Sequence, residues 1–242
     1  MKRRILCFGP VFRKTGPKQA LLPTKQAWCR SHASGFFDRF LETRPKNLNL
    51  PLMVAIVSLL DAVHSGKVQQ IILELEREFG LKGVQATPYP HLTWLTANDG
   101  SLEDLKAALG RAAGICCRVT AQAMGLGIFP GAAPVLYIPI LRTKAINHFH
   151  GQLYEAVSAI SSEIGTFYQA KLWMPHLSLA LGDTTPELVT QALLYLNHHT
   201  FTWEISLDNL TLLTKNGDQF LKDSEFPLLE DESVLLKISS LK

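Results

Sequence analysis

The chain has 242 residues, 47% hydrophobic and 19% charged, enough apolar material for one substantial core or two small fused lobes. No apolar run approaches the roughly 20 residues that span a bilayer, and the longest, Leu50 to Leu60, is broken by Pro51 and Ser58, so no membrane association is expected. The net charge of +3 is uneven: residues 1 to 52 hold 11 Lys/Arg against 2 Asp/Glu, which leaves 13 against 19 for residues 53 to 242. The part expected to fold is thus mildly acidic, which argues against a surface that coats nucleic acid.

The first 52 residues have no acidic residue before Asp38, scattered prolines and no sustained period. Three readings fit them: an organelle transit peptide, a disordered arm, or a segment that precedes the true start at Met53. The last is favoured, because Met53 opens the first clear strand; residues 1–52 are expected to lie outside the fold. Cys7, Cys29, Cys116 and Cys117 show no C-x-x-C spacing, which suits a reduced cytoplasmic protein. One of the adjacent pair Cys116 and Cys117, in a strand-like run from Ile115 to Thr120, is expected to point inward.

From residue 53 the pattern is regular. It predicts a strand at 53–60 and a helix near 66–79, with Val68, Ile71, Ile72, Leu75 and Phe79 on one face and Gly80 at its end. A strand at 89–96 follows, then a helix opened by Ser101 with Asp104 three residues on. Short strands near 115–122 and 125–129 close a first half at about residue 130. The order then repeats in a second half, about 131–242. Pro134 to Leu141 is a strand, and Thr143 caps a long helix carrying Ile146, Phe149, Leu153, Val157, Ile160 and Ile164. His176 to Leu181 is a strand, Thr185-Pro186-Glu187 starts a helix, and strands near 201–207, 209–214 and 234–239 finish the half. Residues 215–233 read as a rim loop or an edge cover.

Pro90-His91-Leu92-Thr93 and Pro175-His176-Leu177-Ser178 occupy the same place in the two halves. Val54 to His91 is 37 positions and Val135 to His176 is 41; from the histidines to Ile115 and Phe201 is 24 and 25. In a strand, alternate side chains share a face, so each segment offers an imidazole beside a hydroxyl on one side and apolar residues on the other. The hydroxyl donates to a phosphate oxygen, and the imidazole gives or takes a proton near neutral pH. Two such pairs across one cleft supply a general base, a general acid and two phosphate ligands, with no metal or other cofactor required.

These paired motifs and the order of elements from Met53 to Thr214 resemble the 2H phosphoesterases, the group that contains RNA 2',3'-cyclic phosphodiesterases and proteins named 2'-5' RNA ligases. The resemblance implies an α+β, bilobal, pseudo-two-fold fold, with two antiparallel sheets flanking a central cleft and helices outside. It also implies that His91 and His176 are acid and base and that Thr93 and Ser178 hold phosphate. The expected partners are RNA ends or small nucleotides, on a monomer with no obligate protein partner. Two other readings use the same cleft: a nucleotide-binding module without turnover, and 2'-5' ligation as the reverse reaction.

Around the motifs, Phe129, Tyr137, Tyr168 and Trp173 are candidates to stack on a base, although core packing is the simpler reading for Phe129 and Trp173. Lys171 and Arg142 are candidates to balance phosphate charge. His148 and His150, two apart on a helix, do not share a face and make a poor metal pair. His198 and His199 suit a helix end. Gly125-Leu126-Gly127 lacks the third glycine and the following helix of a dinucleotide loop.

Overall fold

In the computed structural model the described residues are 53–230, so the basic segment 1–52 and the strand expected near 234–239 lie outside them. Strand β1, Val54–Leu59, leads into α1, Ala62–Phe79. The Asp61 carboxylate caps α1 by accepting the His64 N–H at 2.9 Å. The helix therefore starts before the apolar period shows itself, since Val63 in its first turn is exposed. Gly80 ends it in a left-handed conformation, φ 71°, with its N–H on the Glu76 carbonyl.

Strand β2 is His91–Ala97, and α2, Leu102–Ala113, opens with the expected Ser101 hydroxyl on the Asp104 N–H. The run after α2 does not start as a strand. Cys116 is buried, Cys117 makes one parallel bridge to Leu229, and β3 begins only at Val119, running to Ala123. Strand β4 is Gly127–Phe129 and β5 is Val135–Pro139. Thr143 caps α3, Lys144–Ser158, so Ile160 and Ile164 fall outside the helix predicted to include them. The Asp99 carboxylate accepts from the hydroxyls of Ser161 and Ser162 and from the N–H groups of Ser162 and Glu163, which draws the chain off the helix axis. Ile164 instead bridges Ala97 at the end of β2.

Strand β6 is His176–Ala180, α4 is Pro186–Leu196 behind its Thr185 cap, β7 is Trp203–Leu207 and β8 is Asn209–Asn216. Residues 215–233, read as a loop or an edge cover, contain a further strand: β9, Gln219–Pro227, paired along β8 through a turn at Gly217, φ 60°.

All strand pairs among these elements are antiparallel. One sheet has the order β2-β1-β8-β9; the others are β4-β5-β6 and β3-β7. A bridge between Ala123 and Ile140 joins β3 to the end of β5, so the two smaller sheets act as one layer. The sheets do not follow the sequence halves. β3 and β4 lie with β5 and β6, and β8 and β9 return to flank β1.

The strands that carry the two motifs are built alike. His91 pairs with Leu59 and Thr93 with Val57; His176 pairs with Pro139 and Ser178 with Tyr137. Each pairing shifts register at the same place, between Ile56 and Val57 and between Leu136 and Tyr137. The backbone bonds Leu60 N–H to Pro90 O and Ile140 N–H to Pro175 O also correspond. In each motif strand the side chains of Leu92 and Trp94, or Leu177 and Leu179, enter one shared core with residues from both halves. The other face carries the histidine and the hydroxyl. β2 and β6 are edge strands of their sheets and approach each other.

Candidate active site

Each motif histidine is held in the same way. His91 Nδ1 lies 2.6 Å from the Tyr89 carbonyl and His176 Nδ1 2.7 Å from the Met174 carbonyl, in both cases the residue two positions upstream. A carbonyl only accepts, so Nδ1 carries the proton and Nε2 is the nitrogen left to exchange one. The prolines at 90 and 175 fix the backbone between donor and acceptor.

Burial pushes the His91 pKa below the ordinary histidine value against the opposing pull of the Tyr89 carbonyl, and a charge on His176 pushes it further down. Burial also lowers the pKa of His176, against the pull of the Met174 carbonyl. The two imidazoles are thus close enough for a charge on one to disfavour a charge on the other. Thr93 and Ser178, half-buried, stand two residues beyond each ring on the same faces.

The structure separates the weaker candidates. Tyr137 is 6% exposed, and its ring stacks on Phe129 with centroids 4.1 Å apart. Both present an aromatic edge contact to the His176 ring, at 5.0 Å from Phe129 and 5.2 Å from Tyr137. They form a wall that orients that imidazole. Gly127 makes the wall fit, since a Cβ there would lie 2.5 Å from the Tyr137 ring.

Tyr168, at the end of a short 3-10 turn, Thr166–Tyr168, is half-buried against the core. Its hydroxyl is hydrogen-bonded to that of Thr93, and burial pushes its pKa up to about 12 against that bond. Lys171 is exposed. Arg142 is engaged by its neighbours, with Nε on Asn147 Oδ1, Nη1 on the Trp173 carbonyl and Nη2 on the Ala170 carbonyl.

Two residues beside the site carry more than their sequence suggested. Trp173 is buried as expected, but its Nε1–H donates to the Thr93 carbonyl at 3.2 Å. His150, 1% exposed, lies flat on the Trp173 ring at 4.0 Å and 11°, with Nε2 on the Tyr168 carbonyl at 3.0 Å. A helical histidine facing the core was the available signal, and it reads equally well as plain packing. Among the described residues, no three His, Cys, Asp or Glu side chains gather as a metal site, and no helix is long and apolar enough to cross a membrane.

Comparison with known proteins agrees with this architecture. The family model of the 2'-5' RNA ligase superfamily matches residues 63–219, which includes both motif strands. Among solved structures, TT0787 of Thermus thermophilus is 17% identical, with 73% of this chain and 97% of that one covered and a TM-score of 0.51. LigT of E. coli, complexed with phosphate, is 14% identical over 75% and 99% of the two chains, with a TM-score of 0.48. Usb1 of Kluyveromyces marxianus is 12% identical over 75% and 100%, with a TM-score of 0.41. No protein with a curated description matches the chain. With a family model that covers more than half of its length and both histidine strands, the chain belongs to the 2'-5' RNA ligase superfamily, whose fold is that of the 2H phosphoesterases.

Proposed function

We propose that the chain is a phosphodiesterase that opens 2',3'-cyclic phosphates, or cleaves 2',5'-linkages, on RNA ends or small nucleotides. A superfamily of phosphoesterases and RNA-ligase-like enzymes supports the phosphodiester chemistry in outline. The observation that carries the finer reading is the matched pair of Nδ1-to-carbonyl bonds, which leaves two Nε2 atoms free on facing edge strands.

One neutral imidazole takes a proton from water as its oxygen bonds to phosphorus. The other, protonated, gives a proton to the ribose oxygen whose bond to phosphorus breaks. Thr93 and Ser178 donate to the non-bridging oxygens and hold the phosphate between the strands. Tyr168, bonded to Thr93, orients that hydroxyl.

Incubation with nucleoside 2',3'-cyclic monophosphates in the presence of EDTA tests the reading. Product is expected from the wild type, and His91→Ala or His176→Ala should each lose about 10²- to 10⁴-fold in kcat. Tight binding with no product from the wild type would identify a nucleotide-binding module instead. Product analysis that separates 2'- from 3'-phosphate then fixes which ribose oxygen leaves.

A further inference from the structure

Trp173 lies three residues before His176, yet its side chain bonds to the other motif. The indole Nε1–H, inside the core, donates to the Thr93 carbonyl, 80 positions away, on the edge strand β2. Three groups keep the indole there. His150 covers one face in parallel stacking, and Trp94, in β2 itself, packs at 5.5 Å. The Arg142 guanidinium lies 5.8 Å from the ring centroid and ties down the carbonyls of Trp173 and Ala170 at 3.1 and 2.9 Å. His150 adds a second link between the same parts, since it bonds the Tyr168 carbonyl and also faces the Trp94 carbonyl of β2.

β2 and β6 belong to different sheets, and no strand pairing sets the gap between them. From these contacts we infer that Trp173 is a positioning residue, a buried bolt that holds the segment entering β6 against β2 and so sets the separation of His91 and His176. The bolt acts through the indole N–H and the contacts of its ring. Because it fixes geometry and does not touch phosphate, its loss should lower turnover more than substrate affinity. The inference rests on the proposed two-histidine reaction but is measurable apart from it.

The test is Trp173→Phe, which keeps an aromatic ring on His150 and removes the N–H. Steady-state kinetics on a nucleoside 2',3'-cyclic monophosphate should show kcat down about ten- to a hundredfold with KM changed by less than about threefold. In NMR titrations the His91 midpoint should move up toward that of an ordinary histidine as His176 draws away. Wild-type kcat with an unmoved His91 midpoint in a folded Trp173→Phe protein overturns the inference.

Should that variant not fold, Arg142→Lys carries the test, because it keeps the Trp173 side chain itself and releases the two carbonyls. Faster exchange of the indole N–H with a lower kcat supports the bolt, and wild-type kcat overturns it. If the wild type itself shows no turnover, the proposed reaction fails, while the shift of the His91 midpoint still decides the role of Trp173.

Discussion

Three histidines, His91, His150 and His176, have pKa values lowered chiefly by burial. For His150, burial acts first and the Arg142 charge adds to it, against the carbonyls of Tyr168 and Trp94, and the pKa falls from 6.5 to about 4. The unfolded chain therefore binds this proton more readily than the folded one. Stability is intact above the unfolded value of 6.5 and is lost as the pH drops toward the folded value near 4, by up to about 3 kcal/mol. Urea unfolding across that window should show the wild type weakening steadily, and His150→Gln should flatten the slope. An equal slope in both would rule out His150 as the source.

For the proposed two-histidine reaction, the same direction of shift at His91 and His176 is expected to place both limbs of the kcat/KM profile below the ordinary histidine range. The expected profile is a bell with its maximum on the acidic side of about 6.5 for the free enzyme. Activity rises as one imidazole deprotonates and falls as the second does. A profile flat across both limbs would contradict a two-histidine mechanism.

At the scale of elements, the two motif strands are made equivalent by their partners and unequal by what stands beside them. Matching register shifts in β1 and β5 turn each histidine and its hydroxyl to the open face. Yet Thr93 faces Val57, whereas Ser178 faces Tyr137, backed by Phe129 on β4. That aromatic wall depends on the absence of a side chain at position 127. Gly127→Ala should push Tyr137 off the His176 ring, at a cost of about 1 to 3 kcal/mol in a thermal melt and with a fall in kcat. A variant with unchanged melting and turnover would show that the wall yields freely.

Local signals place the helix caps at Ser101, Thr143 and Thr185 and the stop at Gly80, because capping is decided within four residues. The end of α3 was not legible. Apolar spacing continues through Ile160 and Ile164, and only the distant Asp99 diverts the chain. Strand β9 escaped for a related reason, since its Lys222, Asp223, Ser224 and Glu225 give no apolar alternation and its pairing partner supplies the order.

For the whole molecule, the exchange of strands between halves has a mechanical consequence. β1 lies between β2 and β8, so the first sheet needs residues from both ends of the described chain. α1 packs on β6 and α3 on β2, which crosses the halves again. The fragment 53–130 is therefore expected to stay unfolded when expressed alone, and 53–230 to unfold in a single transition, as followed by circular dichroism in denaturant. A cooperative transition from the short fragment would show that the halves are independent domains.

What the sequence by itself determined was what depends on near neighbours: the strand and helix order, the caps, and the pairing of imidazole and hydroxyl on one face of each motif strand. These follow from backbone periods of two and 3.6 residues, which a chain carries wherever it goes. Only the tertiary structure decided which sheet each strand joins, that Tyr168 meets Thr93, that Arg142 turns to carbonyls, and that an indole spans the gap between the motifs. Such contacts join residues tens of positions apart, and the free energy that selects them comes from burying one shared core, a property of the assembled chain that no short window of residues contains.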